Sequence, residues 1–180
     1  DTYGLSFESV KEKITDRTAG IMPVHLYGGP CRINEINKIA EQNDLVVVED
    51  AAEAFGSTYQ GSNVGTFGDA GVLSFCQNKV VVTGEGGAVI TDDDEIAANV
   101  RLYRSHGRAP GNYFDNVGSG EYVNIGSNLR MSDLTAAIGC AQMDKVDELI
   151  RGRQAAAQHM NQKLTEVEGV RTPEPIDGGT

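Results

Sequence analysis

The chain is short of positive charge. Its 180 residues carry 15 Lys+Arg against 26 Asp+Glu, a formal net charge of −11. Non-specific nucleic-acid binding needs a basic face that displaces counterions from phosphates, so that class of function is excluded. A phosphorylated small ligand is not excluded, because a few local donors can hold it. Cysteine is scarce as well: Cys31, Cys76 and Cys140 are odd in number and far apart. That usage opposes a disulfide scaffold, fits a reducing cytoplasm, and makes each thiol a small half-buried hydrophobe. His25, His106 and His159 are equally dispersed and no Cys-x-x-Cys occurs, so no metal site is expected. No apolar run approaches the roughly 20 residues of a membrane helix, and no basic-plus-apolar leader is visible.

Several catalytic signatures are missing too. A phosphate-binding loop places glycines before its lysine, whereas here "GEGG" follows Lys79. The same glycines open a strand and do not join strand to helix, so they are no dinucleotide fingerprint. No Gly-x-Ser-x-Gly elbow carries a nucleophilic serine; "TYQGSNVG" has the wrong spacing.

What is present reads as an ordinary globular domain. Hydrophobic residues make up 39% and charged residues 23%, enough apolar content for one sizeable core. The chain begins at Asp1 without a methionine and ends in "DGGT", so an internal piece of a longer protein is expected. "SFESVKEKIT" predicts a short helix, and "GIMPVHLYGG" a buried strand closed by a Gly-Gly turn. In "INEINKIAEQN", Ile33, Ile36, Ile39 and Ala40 share one helical face. Residues 45–48 form an unbroken apolar run that stops at Glu49 and Asp50. "AGVLSF" and "GAVITDD" predict two more strands, and "DDEIAANVRLYRSHG" a helix. Ser132 is placed to cap a long helix with periodicity to about Leu164, in which Gly152 is the candidate interruption. The Gly-, Asn- and Tyr-rich loop over residues 108–128 is long enough to suggest function.

Strands that read as continuous apolar runs, separated by helices, indicate an α/β domain with a mainly parallel, mixed sheet. Ligands in such sheets bind beyond the carboxyl ends of the strands. Asp50 follows one such end, and Ser74 and Lys79 follow or close another. On residues alone Lys79 has two readings. It is a strand-edge lysine whose stem covers apolar surface while its amine reaches water. Alternatively it is an imine-forming lysine, which must be neutral part of the time and suits the apolar flank of Phe75, Val80 and Val81. The usual cofactor of such an imine, pyridoxal 5'-phosphate, also needs phosphate donors and a carboxylate at its pyridinium nitrogen. Ser74 and Asp50 are candidates for those two tasks.

Three blocks decide between these readings: "IMPVHLYGGPCRINEINKIA", "VVVEDAAEAFGSTYQGSNVGTFGDAGVLSFCQNKVVVTGEGGAVITDDDEIA" and "GSNLRMSDLTAAIGCAQMDKVDELIRGR". Together, over residues 15–164, they resemble the DegT/DnrJ/EryC1/StrS family of pyridoxal-phosphate-dependent sugar aminotransferases. The resemblance implies the three-layer α/β/α large domain of fold-type-I aminotransferases. Residues 1–150 would be part of that domain. Residues 151–180 would form the connecting helix and the start of a truncated C-terminal domain. It also implies a role for each matched residue. Lys79 holds the cofactor as an imine and shuttles the proton, and Asp50 pairs with the pyridinium nitrogen. Ala52 packs on the ring face, Ser74 binds phosphate, and Asn128 reaches the phosphate of a neighbouring subunit in a homodimer with shared active sites.

Glu53 stands where many members of the family have glutamine, beside the cofactor's phenolic oxygen. A carboxylate there has an ionisation coupled to the imine. With "GTFGD" downstream it resembles the perosamine-synthase-like branch. That branch converts GDP-4-keto-6-deoxymannose to GDP-perosamine, with glutamate as amino donor, in amino-sugar and lipopolysaccharide O-antigen biosynthesis. A dehydratase branch carries histidine in place of the lysine, so Lys79 indicates transamination of a nucleotide-linked keto sugar. Tyr113 and Arg130 are candidate substrate contacts. Two rivals are a non-catalytic regulatory or assembly member of the family, and an aminotransferase for a cyclitol or aminohydroxybenzoate precursor. The expected setting is cytoplasmic.

Overall fold

The computed structural model describes residues 3–109, 121–174 and 176–180. In chain order the elements are α1 (Phe7–Lys13), β1 (Gly20–Ile21), α2 (Ile33–Gln42) and β2 (Val46–Asp50). A hairpin of β3 (Thr58–Tyr59) and β4 (Ser62–Asn63) follows, then β5 (Ala70–Ser74), β6 (Gly87–Ile90), α3 (Asp94–Tyr103), α4 (Asp133–Met143) and α5 (Val146–Leu164). The main sheet has the order β1-β2-β5-β6. β1, β2 and β5 run parallel, and β6 is antiparallel to β5. This is the mixed, mainly parallel α/β sheet expected from the alternation of apolar runs and helical periods.

The helices start where local chemistry satisfies their free N–H groups. Ser6, Asp93 and Ser132 each accept backbone N–H bonds at the first turn of α1, α3 and α4. α2 has no side-chain cap and depends on packing instead. Its Ile33, Ile36, Ile39 and Ala40 are buried in one core with Val47 of β2, Ile21 of β1 and Tyr59 of β3. This is the face that the spacing predicts.

Two expectations need correction. The segment 20–29 is not one strand. Only Gly20–Ile21 pairs as a ladder; Pro23 offers no N–H, and the chain then follows β2 by single bonds before a 3-10 turn at Leu26–Gly28. Pro23 O accepts from Asp50 N–H at 2.8 Å, and His25 N–H donates to Asp50 O at 3.0 Å. The long helix is also two helices. It breaks at Asp144 and Lys145, where Lys145 leaves helical geometry with φ −114° and ψ 5°, and it passes Gly152 without interruption. An apolar period reports which face is covered, and one non-helical residue can break the rod without disturbing that period.

A buried acid joins these pieces. Along β2, Val47 and Glu49 point to the buried side, and Glu49 is fully inaccessible. Its carboxylate accepts four hydrogen bonds: His25 Nε2 at 2.9 Å and the N–H groups of Gly65, Phe67 and Gly68 at 2.8, 2.6 and 2.8 Å. Cys31 N–H donates to His25 Nδ1 at 3.0 Å, which places the imidazole proton on Nε2, facing Glu49. Burial opposes ionisation of Glu49, but His25 and the three N–H groups outweigh it and hold the carboxyl below its ordinary range. The loop so gathered runs tightly against β5: a Cβ at Gly71 would collide with the backbone of Gly65, which itself adopts φ +88°.

Two stability changes are expected in the full-length protein. Glu49→Gln leaves buried N–H groups facing an amide and is expected to cost about 3 kcal/mol, read from the denaturant midpoint. Because the native carboxyl titrates low, its stabilisation is complete above the ordinary carboxylate range. It is lost as pH falls from there toward the native value, and Glu49→Gln should remove that part of the acid sensitivity. Gly71→Ala should cost about 1–3 kcal/mol on the same measurement.

Candidate active site

The parallel strands β2 and β5 end side by side, with Asp50 opposite Val72, and Ala51 N–H donates to Val72 O at 3.0 Å. Strand alternation turns Asp50 away from the buried Glu49 face. Its Oδ1 accepts Ala52 N–H at 3.0 Å, which folds the chain back immediately after the strand. Ala51 and Ala54 bury themselves, while Ala52 and Glu53 stay partly accessible at the turn.

Ser74 closes β5 opposite Gly87 of β6. A Cβ at Gly87 would lie 2.7 Å from Leu73 O, so glycine is what lets β6 lie this close to the strand end. Ser74 Oγ accepts Cys76 N–H at 3.3 Å, and among the described residues its own O–H has no acceptor. The stretch after it is a loop pinched at its base: Phe75 N–H bonds Gly86 O, and Thr83 N–H bonds Phe75 O, both at 2.9 Å. Val81, 1% exposed, anchors the loop in the interior. Lys79 sits at its tip, with Lys79 N–H on Cys76 O at 3.0 Å. Its side chain is shielded, 15% exposed, and Nζ lies 3.4 Å from Glu53 Oε1. The side chain is thus largely withdrawn from water, with a carboxylate on one side of the amine.

Glu53 is held from a second direction. Its Oε2 accepts Tyr27 N–H at 2.9 Å, and Tyr27 takes φ 55°, a left-handed conformation that is costly for a bulky side chain. The Tyr27 N–H, working against burial and aided by Lys79, holds the Glu53 carboxyl below its ordinary range. Lys79 in turn is gripped at its backbone, where Arg153 Nη2 of α5 donates to Lys79 O at 2.8 Å. Neither Tyr27 nor Arg153 was legible as a site residue. The useful group of Tyr27 is a backbone N–H, and Arg153 lies 74 positions from its partner with no local pattern to mark it.

The fold thus gathers Asp50, Ala52, Glu53, Ser74 and Lys79 around the ends of β2 and β5. Asn128 is placed elsewhere: it is exposed and forms a bridge with Ser105 at the end of α3, where Arg130 Nη1 also donates to Ser105 Oγ at 3.1 Å. Tyr113 lies outside the described residues. Among the described residues no cluster of His, Cys, Asp or Glu could hold a metal ion. A cleft of about 1380 Å³, lined by Leu73, Val89, Val100, Tyr103 and Met131, runs along β5, β6 and α3 and is lined by none of the five gathered residues. An amine, a carboxylate, a free hydroxyl proton and a small side chain around two strand ends form a donor set that fits pyridoxal phosphate.

The chain is similar to known proteins along nearly its whole length. The model of the DegT/DnrJ/EryC1/StrS aminotransferase family matches residues 1–178. A GDP-perosamine synthase from Caulobacter vibrioides is 41% identical over 174 residues, which cover 97% of this chain and 45% of that protein. The chain therefore spans about half the length of the curated relatives it matches. Among solved structures, the aminotransferase TlmJ from Streptoalloteichus hindustanus superimposes with a TM-score of 0.90 at 32% identity, over 99% of this chain and 48% of that one. The GDP-4-keto-6-deoxy-D-mannose-3-dehydratase of E. coli, with bound hydrated PLP, gives 0.86 at 30% identity, over 97% and 48%. By its sequence and its fold, the chain belongs to the DegT/DnrJ/EryC1/StrS aminotransferase family.

Proposed function

We propose that the full-length protein is a pyridoxal-phosphate-dependent aminotransferase that turns a nucleotide-linked keto sugar into an amino sugar with glutamate as donor. The observation that carries this reading is the position of Lys79: a shielded amine at the strand-end crevice that Asp50 and Ser74 also border. When bound, the cofactor supplies an aldehyde that accepts amino groups and a ring that withdraws electrons from the reacting carbon. Lys79 Nζ offers the nucleophile that holds this aldehyde and then carries the proton to and from the carbon. Asp50, turned out of the core at the end of β2, favours a protonated ring nitrogen. Ser74 would offer its O–H to the phosphate, and Ala52 would border the ring. On this reading residues 1–150 belong to the large cofactor-binding domain, and residues 151–180 lead into the C-terminal one.

The acceptor is proposed to be GDP-4-keto-6-deoxymannose, giving GDP-perosamine in the cytoplasm. Glu53 in "EDAAEAFG" and the similarity to the Caulobacter vibrioides enzyme support it. The lysine itself favours transamination over dehydration. A homodimer with Asn128 reaching the neighbouring site is part of the proposal. It is supported by the exposed apolar side chains around Asn128 and along α4: Ile125, Leu129, Leu134 and Ile138.

The test is an assay of the full-length protein with glutamate and a panel of nucleotide-linked keto sugars, with products identified by mass spectrometry. The GDP-linked 4-keto sugar should react fastest, and Lys79→Ala should lower turnover by about 10²–10⁴-fold or more. Turnover that survives Lys79→Ala would overturn the assignment, and faster reaction of another sugar would move the acceptor.

A further inference from the structure

We propose that Glu53 is the counter-ion of the resting Lys79 ammonium, a positioning residue that pairs with it and holds it in place until a carbonyl compound enters. This rests on the reading of Lys79 as the imine-forming amine, and it concerns the protein before the cofactor arrives. The contact joins two loops 26 positions apart, at 3.4 Å, between side chains that are 15% and 33% exposed. Ion pairs fully in water are worth little, but this one is partly withdrawn from solvent. Glu53 is also not free to drift. Its other oxygen is fixed by Tyr27 N–H, and that N–H is delivered by a strained left-handed residue next to Gly28, itself at φ 83°.

The other charged and titratable groups nearby have different partners. Asp50 Oδ1 accepts Ala52 N–H, Glu85 Oε1 lies 4.0 Å from Cys76 Sγ, and Arg153 ends on the Lys79 carbonyl. Glu53 is thus the carboxylate that lies against the Lys79 amine.

A glutamine at this position carries no charge to pair with the ammonium.

The test uses the cofactor-free full-length protein. Lys79 is methylated with formaldehyde and cyanoborohydride across a pH series and followed by peptide mass, with Lys163 as an internal control. In Glu53→Gln, Lys79 should be methylated roughly tenfold faster at neutral pH, while the Lys163 rate stays unchanged. Glu53→Asp, which keeps the charge on a shorter arm, should fall between. Curves for wild type and Glu53→Gln that coincide would overturn the proposal. Should Glu53→Gln not fold, the wild-type rate at low and high salt decides: a paired amine reacts faster at neutral pH as salt screens its partner, and a salt-independent rate overturns the proposal. Parallel trapping with pyridoxal phosphate keeps the two readings apart. Wild-type Lys79 that takes up formaldehyde but not pyridoxal phosphate would refute the cofactor assignment and leave the counter-ion to the rate curves.

Discussion

A carboxylate with no access to water organises this end of the sheet. Glu49 collects a histidine and three backbone N–H groups from two separate segments, and each would be an orphan donor without it. The 25–31 turn is tied through His25, and the loop before β5 through Gly65, Phe67 and Gly68. Both must be in place before β2 and β5 can end in register. A buried acid with all its donors present costs little, but the same acid with one donor withdrawn is a charge in a poor solvent. The geometry is therefore nearly all-or-none, which is a useful property beneath a site that depends on where a strand ends.

One residue further along the same strand the chemistry inverts. Because side chains alternate across a strand, Glu49 and Asp50 face opposite sides although they are neighbours. The inward acid supports structure, and the outward one is the acid proposed to meet the ring nitrogen. A shift of β2 by one residue would exchange the two acids, so the register also sets that proposed role. The bonds from Asp50 N–H to Pro23 O and from His25 N–H to Asp50 O run beside the same point and resist such a slip.

Much of this was legible in the chain because it obeys simple periods. Ile33, Ile36, Ile39 and Ala40 announce the buried face of α2, and the apolar runs ending at Asp50 and Ser74 announce two strand ends. Lys79 was visible as an oddity, and the resemblance of its flanks to a known family gave it a role. What was not legible depends on distance in the fold. Glu49 looked like the polar end of a strand and is its most buried acid, since only the tertiary structure supplies its donors. The helix break at Lys145 leaves the apolar period intact, and the grip of Arg153 on Lys79 has no sequence neighbourhood at all. The segment around Pro23 was expected as one strand from its apolar run, and the missing N–H of Pro23 ends the ladder after Ile21.

The contact between Glu53 and Lys79 changes how the lysine's setting is understood. An apolar pocket alone makes an amine reactive by penalising its charge, and the same penalty makes it a poor reservoir of the proton that later steps need. A carboxylate at 3.4 Å offsets that penalty on one side of a side chain that is otherwise largely shielded. The left-handed Tyr27, whose N–H points at Glu53, then has a physical reason. Its backbone strain is the cost of fixing one oxygen of Glu53, so that the other faces Lys79 and not the solvent. The same tether explains why a glutamate serves where a glutamine would satisfy the Tyr27 N–H equally well. Both side chains can accept that bond, but only the carboxylate also carries the charge that balances the amine.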